Sequence, residues 1–181
     1  MSDNVAVGPV QQARPPIFLY TDGASSGNPG PGGYGIVLKC AGHVKEMSGG
    51  FACTTNNRME LLAVIVGLEA VRWPDAEVNV ISDSSYVVNA VSKGWVFNWE
   101  RKNFAGKKNM DLWMRFLAVY RRHRVKFYWV KGHAGHPENE RCDALAVDAG
   151  AGAVSRGEKL PPDTGFLQQN ESTDPGFEFS E

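Results

Sequence analysis

The spacing of apolar residues changes along the chain and predicts strands first and helices afterwards. Residues 17–20 form a short apolar run that ends at a turn, Thr21-Asp22-Gly23. Two more apolar runs, 34–40 and 44–51, are separated by only three residues. Runs of this length with short connectors are typical of antiparallel neighbours. We therefore expect the chain to begin its fold with three antiparallel strands.

From residue 54 onward, apolar residues recur every three or four positions, which is the period of a helix. The first such face contains Met59, Leu62, Ala63, Val66 and Ala70. Further helices are predicted over 85–92, 110–123 and 138–149, and further strands over 77–81 and 125–130. Because each later strand follows a helical crossover, both should lie parallel to the first strand. The predicted fold class is α/β, a five-stranded mixed sheet with helices on both faces.

The length of 181 residues suits one domain and is too short for two comfortable ones. Residues 1–16 are small, polar and interrupted by proline, so we expect a disordered lead-in. The domain should cover 17–150 and include a basic handle at about 94–110. Beyond it, residues 151–181 are rich in Gly, Pro, Gln and acidic residues, which predicts a flexible acidic tail.

Composition excludes some classes of protein. No apolar run approaches the roughly 18 residues of a membrane span, and the first residues lack the pattern of a secretory signal. Three cysteines cannot all pair, and none has the spacing of a zinc site. We therefore expect a cytoplasmic, monomeric protein with reduced thiols, no membrane partner and no small-molecule cofactor.

Charge is unevenly distributed, although the net charge is only −1. Residues 93–131 contain eleven basic and two acidic residues, a local charge of +9. Residues 157–181 contain six acidic residues and one lysine, a local charge of −5. The basic stretch favours a polyanionic partner such as a nucleic acid.

Four carboxylates occupy positions suited to a site at the edge of the predicted sheet. Asp22 and Asp83 follow the first and fourth strands, which should be neighbours, while Glu60 and Asp143 lie on helices. Carboxylates gathered in one place need cations, and hard oxygen ligands select Mg²⁺ or Mn²⁺. Taken singly, each residue also fits an ordinary role, as a helix cap or a solvated surface charge.

Five blocks of sequence, in order, closely resemble bacterial ribonuclease HI. They are YTDGAS at 20–25, GNPGPGGYG at 27–35, TTNNRMEL at 54–61, SDS at 82–84 and WVKGHAGHPENERCD at 129–143. The resemblance covers residues 17–149 and implies an endonuclease that cuts the RNA strand of RNA–DNA hybrids. It also implies the ribonuclease H-like sheet, which agrees with the order of elements predicted above.

The same resemblance assigns roles to individual residues. It implies that Asp22, Glu60, Asp83 and Asp143 hold two Mg²⁺ ions, with Mn²⁺ as a possible substitute. The catalytic histidine of the family falls on His133 rather than on His136. Two-metal catalysis of this kind would leave 5′-phosphate and 3′-hydroxyl ends.

Substrate contacts are expected from two further groups of residues. Positions similar to Asn28, Thr55, Asn56 and Asn57 contact the duplex near the cut in the family, and these side chains also suit turns and helix caps. Aromatic and basic residues of the handle offer flat surfaces and phosphate charge; they are Trp95, Trp99, Lys107 and Lys108. The segment between Trp99 and Asp111 is shorter than the longest handles of the family.

Two other functions are open at this point. One is an integrase-like or junction-resolving nuclease with the same fold, against which the TTNNRME block and the handle argue. The other is a hybrid-binding module without catalysis, which a missing carboxylate would favour; none of the four is missing.

Overall fold

A computed structural model describes residues 13–171. Its centre is one sheet of five strands in the order β3-β2-β1-β4-β5. The strands are β1 (Ile17–Ser25), β2 (Gly30–Cys40), β3 (His43–Thr54), β4 (Glu77–Ser82) and β5 (Arg124–Trp129). The first three pair in antiparallel fashion, and β4 lies parallel to both β1 and β5. The predicted mixed sheet is confirmed.

Helices fill the connections and follow the last strand. They are α1 (Asn56–Glu69), α2 (Ser85–Ser92), α3 (Trp95–Arg101), α4 (Met110–Tyr120), α5 (Pro137–Val147), α6 (Ala153–Ser155) and α7 (Thr164–Glu171). A π-helical turn, Asp148–Gly152, joins α5 to α6. None of the described helices is long and apolar enough to cross a membrane.

The two faces of the sheet are covered by different helices. On one face, α1 approaches β1 so closely that a Cβ on Gly67 would meet the side chain of Leu19. On the other face, α5 crosses β2, where a Cβ on Gly35 would overlap the carbonyl of Cys142. Ten of the fourteen residues of α1 are buried, so this helix forms the centre of the core rather than its surface. This tight packing on both faces fixes the position of β1 and β4, at whose carboxyl ends the candidate site lies.

Several boundaries differ from the sequence-based prediction: β1 and β2 extend over residues 21–25 and 30–33, and residues 95–101 form a helix. Helix α4 ends at Tyr120, because residues 121–123 turn towards β5. Residues 151–171 belong to the folded unit, which corrects the expectation of a flexible tail for this stretch. The reason is that α7 contributes a buried Phe166 and follows a buried Asp163 that pairs with α1. The predicted lead-in lies outside the described residues up to residue 12, and the predicted tail does so from residue 172.

Candidate active site

Asp22 and Asp83 lie side by side because their strands are neighbours. The parallel pairing of β1 and β4 places Thr21 opposite Ser82, and each aspartate is the next residue along its strand direction. Asp22 is buried, and its Oδ1 accepts the backbone N–H of Gly23 at 2.8 Å. The sequence-based expectation that these two aspartates meet at one sheet edge is confirmed.

Glu60 reaches the same place from the first turns of α1. The helix starts at a fixed point because Thr55 caps it, accepting the N–H of Arg58 at 3.3 Å. A Cβ on Gly23 would overlap the backbone of Glu60, so only glycine allows α1 to come this close to β1. Glu60 is buried, and its Oε2 has no hydrogen-bond partner among the described residues.

The three carboxylates form one compact cluster. One oxygen each from Asp22, Glu60 and Asp83 lies within 4.8 Å of the others. Burial, together with the negative charge of Asp83, raises the pKa of Asp22 to about 7. Burial and the charges of Asp22 and Asp83 raise the pKa of Glu60 well above its ordinary value. The cluster is therefore unfavourable as three free anions.

This donor set fits divalent metal ions. Carboxylate oxygens are hard ligands, and the unpartnered Oε2 of Glu60 is the kind of buried acceptor that a cation satisfies. A bound cation would also remove the repulsion that raises the pKa of Asp22.

Asp143 lies beside the cluster rather than in it. The residue is on α5, is only partly buried and does not belong to the group of three that approach within 4.8 Å. It is nevertheless close enough for its negative charge to contribute to the raised pKa of Asp22. Of the four predicted carboxylates, the structure brings three together and places the fourth next to them.

The loop between β5 and α5 covers Asp83. A Cβ on Gly132 would lie 2.5 Å from Oδ2 of Asp83, so the loop backbone rests directly on this carboxylate. Asn139, which is buried on α5, donates to the same oxygen at 3.4 Å. His133 is the next loop residue; it is exposed and has a left-handed backbone with φ of 51°. His136 is the N-cap residue of α5.

The predicted substrate residues fall into two places. Asn28 ties the β1–β2 loop to the start of α1, because its Oδ1 accepts the backbone N–H of Asn56 at 3.1 Å. Asn57 faces the handle across a groove of about 320 Å³. The groove is lined by Asn57, Tyr86, Trp95, Trp99, Lys107, Lys108 and Asn109. Lys107 Nζ lies 5.2 Å from the centre of a ring of Trp99, so charge and aromatic surface are presented together.

Sequence reasoning missed the residues that hold this groove together. Arg58 is almost fully buried, and its guanidinium forms two bonds to Asp163 and two to Asp111, at 2.7–2.9 Å. These partners raise the pKa of Arg58 further above its usual value. Asn109 accepts a bond from Arg58 at 3.3 Å. An arginine inside an otherwise buried helical face was the signal that could have predicted such a network.

Comparison with known proteins agrees with the geometry. A family model described as RNase H matches residues 14–151. The chain belongs to the ribonuclease H family. The ribonuclease H of Desulforamulus reducens is 59% identical over 138 residues, covering 74% of this chain and 86% of that protein. The ribonuclease H of Oleidesulfovibrio alaskensis is 56% identical over 153 residues, covering 82% and 96%.

Solved ribonuclease H structures share the fold. LC9-RNase H1, described as a type 1 RNase H with the type 2 active-site motif, has a TM-score of 0.70 and 32% identity, covering 78% of this chain and 74% of that one. LC11-RNase H1, solved in complex with RNA/DNA hybrid, has a TM-score of 0.60 and 26% identity, covering 76% of this chain and 99% of that one. The resemblance stated from the sequence is confirmed.

Family membership makes this ribonuclease H a nuclease, a hydrolase of phosphodiester bonds. Family and fold together support cleavage of the RNA strand in RNA–DNA hybrids. Ribonucleases H generally use divalent metals, and the cluster of Asp22, Glu60 and Asp83 is suited to hold one.

Proposed function

We propose that this ribonuclease H is an endonuclease that hydrolyses the RNA strand of RNA–DNA hybrids with two divalent metal ions, leaving 5′-phosphate and 3′-hydroxyl ends. The observation that carries the proposal is the cluster of Asp22, Glu60 and Asp83, whose oxygens lie within 4.8 Å of one another. Mg²⁺ is the proposed ion, with Mn²⁺ as a substitute, because the donors are all carboxylate oxygens.

Each carboxylate has a separate part in this proposal. Asp22, whose carboxyl senses Asp83, Asp143 and Glu60, would serve both metal ions; Glu60 and Asp83 would help to hold one ion and Asp143 the other. Metal ions held there would supply an activated water on one side of the phosphate and charge stabilisation for the leaving oxygen on the other. The raised pKa of Asp22 means that metal binding and loss of its proton are coupled near neutral pH.

His133 is proposed to move protons to or from the reacting groups. The histidine is exposed, and its loop begins at Gly132 against Asp83, so the ring can approach a substrate held at the cluster. A role outside the metal positions agrees with its location, because it does not belong to the compact carboxylate group.

Hybrid binding is proposed to use the first turn of α1 and the handle. Thr55 caps α1 and would hold a phosphate of the DNA strand. Asn56 and Asn57 lie within about one helical turn of Glu60 along α1, and Asn28 accepts the N–H of Asn56. They would contact the strand near the cut, where a 2′-hydroxyl distinguishes RNA from DNA. The groove of Trp95, Trp99, Lys107 and Lys108 would hold the DNA strand by phosphate charge and flat aromatic surface.

One gel tests the proposal directly. The full chain is incubated with labelled RNA–DNA hybrid, duplex RNA, duplex DNA or single-stranded RNA, with Mg²⁺ or EDTA. We expect cleavage of the hybrid alone, within the RNA strand and only with metal, and fragments that a 5′-phosphate-dependent exonuclease degrades. Cleavage of duplex DNA would instead indicate an integrase-like nuclease, and binding without cleavage a hybrid-binding module.

We also propose that the protein acts as a cytoplasmic monomer without a small-molecule cofactor. All the carboxylates and groove residues assigned above come from one chain. Sedimentation at working concentration tests the monomer; a mass of about 20 kDa is expected from a chain of 19.8 kDa.

A further inference from the structure

The C-terminal segment, residues 153–171, is anchored at the start of α1. The carboxylate of Asp163 accepts the hydroxyl of Thr54 and the Nε–H of Arg58, both at 2.7 Å. Phe166, in the first turn of α7, is buried. These contacts hold α7 in one orientation, so the far end of α7 has a defined position.

That far end contacts the last residue of the handle. The Oε1 of Gln169 accepts the backbone N–H of Asn109 at 2.8 Å, and its Nε2 donates to Oδ1 of Asn109 at 3.5 Å. Asn109 precedes α4 with a left-handed backbone, φ of 64°. Its N–H has no acceptor within α4, because the first N–H groups of a helix lack partners in the helix itself. Gln169 supplies that acceptor from a distant part of the chain.

Asn109 in turn orders the groove. Its Nδ2 donates to the hydroxyl of Tyr86 at 3.1 Å, and it directly follows Lys107 and Lys108. Asparagine tolerates the left-handed region, yet the conformation is not its preferred one and needs support from neighbours. The backbone direction at this residue decides where the two lysines lie relative to Asn57 on the opposite side of the groove.

We propose that Gln169 is a positioning residue for the nucleic-acid groove. By holding Asn109 in its left-handed turn, it fixes Lys107 and Lys108 opposite Asn57, so α7 sets the affinity for substrate without touching the carboxylate cluster. The proposal deepens the function proposed above and rests on it, since it names a residue that controls the same binding surface.

The test replaces Gln169 by methionine, which keeps the length of the side chain and removes both hydrogen bonds. Affinity for RNA–DNA hybrid is measured in EDTA, and kcat and KM are measured with Mg²⁺. We expect the Kd and KM of Gln169→Met to rise about fivefold, the effect of one hydrogen bond, with kcat retained. The matched control is Leu167→Gln, a change of similar size at an exposed position of the same helix, which should leave Kd unchanged.

A second pair of variants tests whether the effect passes through Asn109. Glycine adopts the left-handed backbone without strain, so Asn109→Gly keeps the backbone N–H that bonds Gln169 but no longer needs this contact to hold the turn. If Gln169 acts through Asn109, adding Gln169→Met to Asn109→Gly should raise Kd by clearly less than fivefold. Full additivity of the two changes, or a Gln169→Met variant that melts earlier but binds hybrid as tightly as the wild type, would overturn the proposal.

Hydrogen exchange separates this inference from the proposed function. The amide of Asn109 should exchange more slowly in the wild type than in Gln169→Met, with no nucleic acid present. A wild type that binds no hybrid but shows this difference would contradict the proposed function while leaving the contact intact. Equal exchange in the two proteins would contradict the positioning role itself.

Discussion

Gly23 and Glu60 are in direct backbone contact, because the place where residue 23 would carry a Cβ is filled by the backbone of Glu60. Glu60 can join Asp22 and Asp83 only if α1 comes this close to the end of β1. The carboxylate cluster therefore depends on Gly23, a residue that has no side chain.

Replacing Gly23 by alanine should push α1 away from β1. We expect Gly23→Ala to lower the free energy of unfolding by about 1–3 kcal/mol, as overpacked cores do, and to reduce cleavage of hybrid at least tenfold because Glu60 moves. Thermal melting and kcat with Mg²⁺ measure the two effects. The control is Gly42→Ala, at a position where nothing lies near the added methyl group but the backbone is left-handed, so only stability should suffer. A Gly23→Ala enzyme with wild-type kcat would show that the close approach is unnecessary for the cluster.

Asp22→Asn should abolish cleavage and keep hybrid binding. A residue that bridges two metal positions supplies electrostatic stabilisation to both, so a loss of at least a hundredfold in kcat is expected. Affinity for hybrid in EDTA should change little, because phosphate contacts elsewhere supply most of it. Residual cleavage above about one hundredth of the wild-type rate would contradict the assignment.

The same substitution should stabilise the metal-free protein in a pH-dependent way. The pKa of Asp22 is raised to about 7 in the fold, so its contribution to stability is fully present below pH 4, its unfolded pKa, and is lost as pH rises to about 7. The Asp22→Asn side chain stays neutral at every pH, so this variant does not lose that stability. In EDTA at pH 8 we expect Asp22→Asn to have a higher melting temperature than the wild type, and a free energy of unfolding larger by on the order of a few kcal/mol. At pH 4 the two proteins should have the same melting temperature. Added Mg²⁺ should narrow the difference at pH 8 by stabilising the wild type.

Neutralising Lys107 and Lys108 together should weaken hybrid binding equally for all sequences. Each lost phosphate contact should flatten the slope of log K against log salt by about 0.7–0.9. The kcat at saturating hybrid should change little, since neither lysine belongs to the carboxylate cluster. Lys45→Gln on β3 is a control for the loss of one positive charge elsewhere. An unchanged salt slope would mean that the handle does not contact phosphate.

His133 and His136 should behave differently although they are three residues apart. His133→Ala should lower kcat by about 10²-fold or somewhat less, with little change in KM, because a proton carrier assists a water that metals already activate. His136 is the N-cap residue of α5 but its side chain makes no capping hydrogen bond, so any effect of His136→Ala should fall on melting rather than on kcat. Equal or reversed losses in kcat would show that the catalytic histidine is wrongly placed, and complete loss on His133→Ala would make it an obligatory base.

Asp163→Asn tests the weight of the buried ion pair. Asp163→Asn removes one of the two carboxylates that pair with the buried Arg58. We expect the free energy of unfolding to fall by about 3 kcal/mol. The loss should not be larger, because Asp111 still pairs with Arg58. Glu69→Gln breaks an exposed pair with Arg115 and should cost less than about 1 kcal/mol. Similar melting temperatures for the two variants would mean that burial adds nothing to the Arg58 pair.

The fold was predictable because its signals are local. The change of apolar period near residue 54 marks the start of α1, and the crossovers before β4 and β5 predict that both strands run parallel to β1. From that pairing alone, Asp22 and Asp83 had to end at the same edge of the sheet. The end of α4 was misplaced by three residues because residues 121–123 are basic and include no glycine or proline to mark the point where the backbone turns.

The support of the site was not predictable, because it depends on contacts between distant parts of the chain. Acidic residues after Gly157 suggested a solvated tail, and nothing in their spacing showed that Asp163 would face a buried Arg58. The contact of Gln169 with Asn109 likewise joins residues 60 positions apart. A polar side chain on a short segment carries no periodic signal, so its partners can be identified only from the three-dimensional structure.

The buried Arg58 also has a consequence for the order in which the protein matures during synthesis. Its partners Asp111 and Asp163 follow it by 53 and 105 residues. A nascent chain that has emerged as far as α5 already carries Asp22, Glu60, Asp83 and Asp143, but Arg58 still lacks half of its carboxylate partners. The start of α1 therefore gains its second carboxylate partner only after residue 163 has been synthesised, later than all four carboxylates of the candidate site.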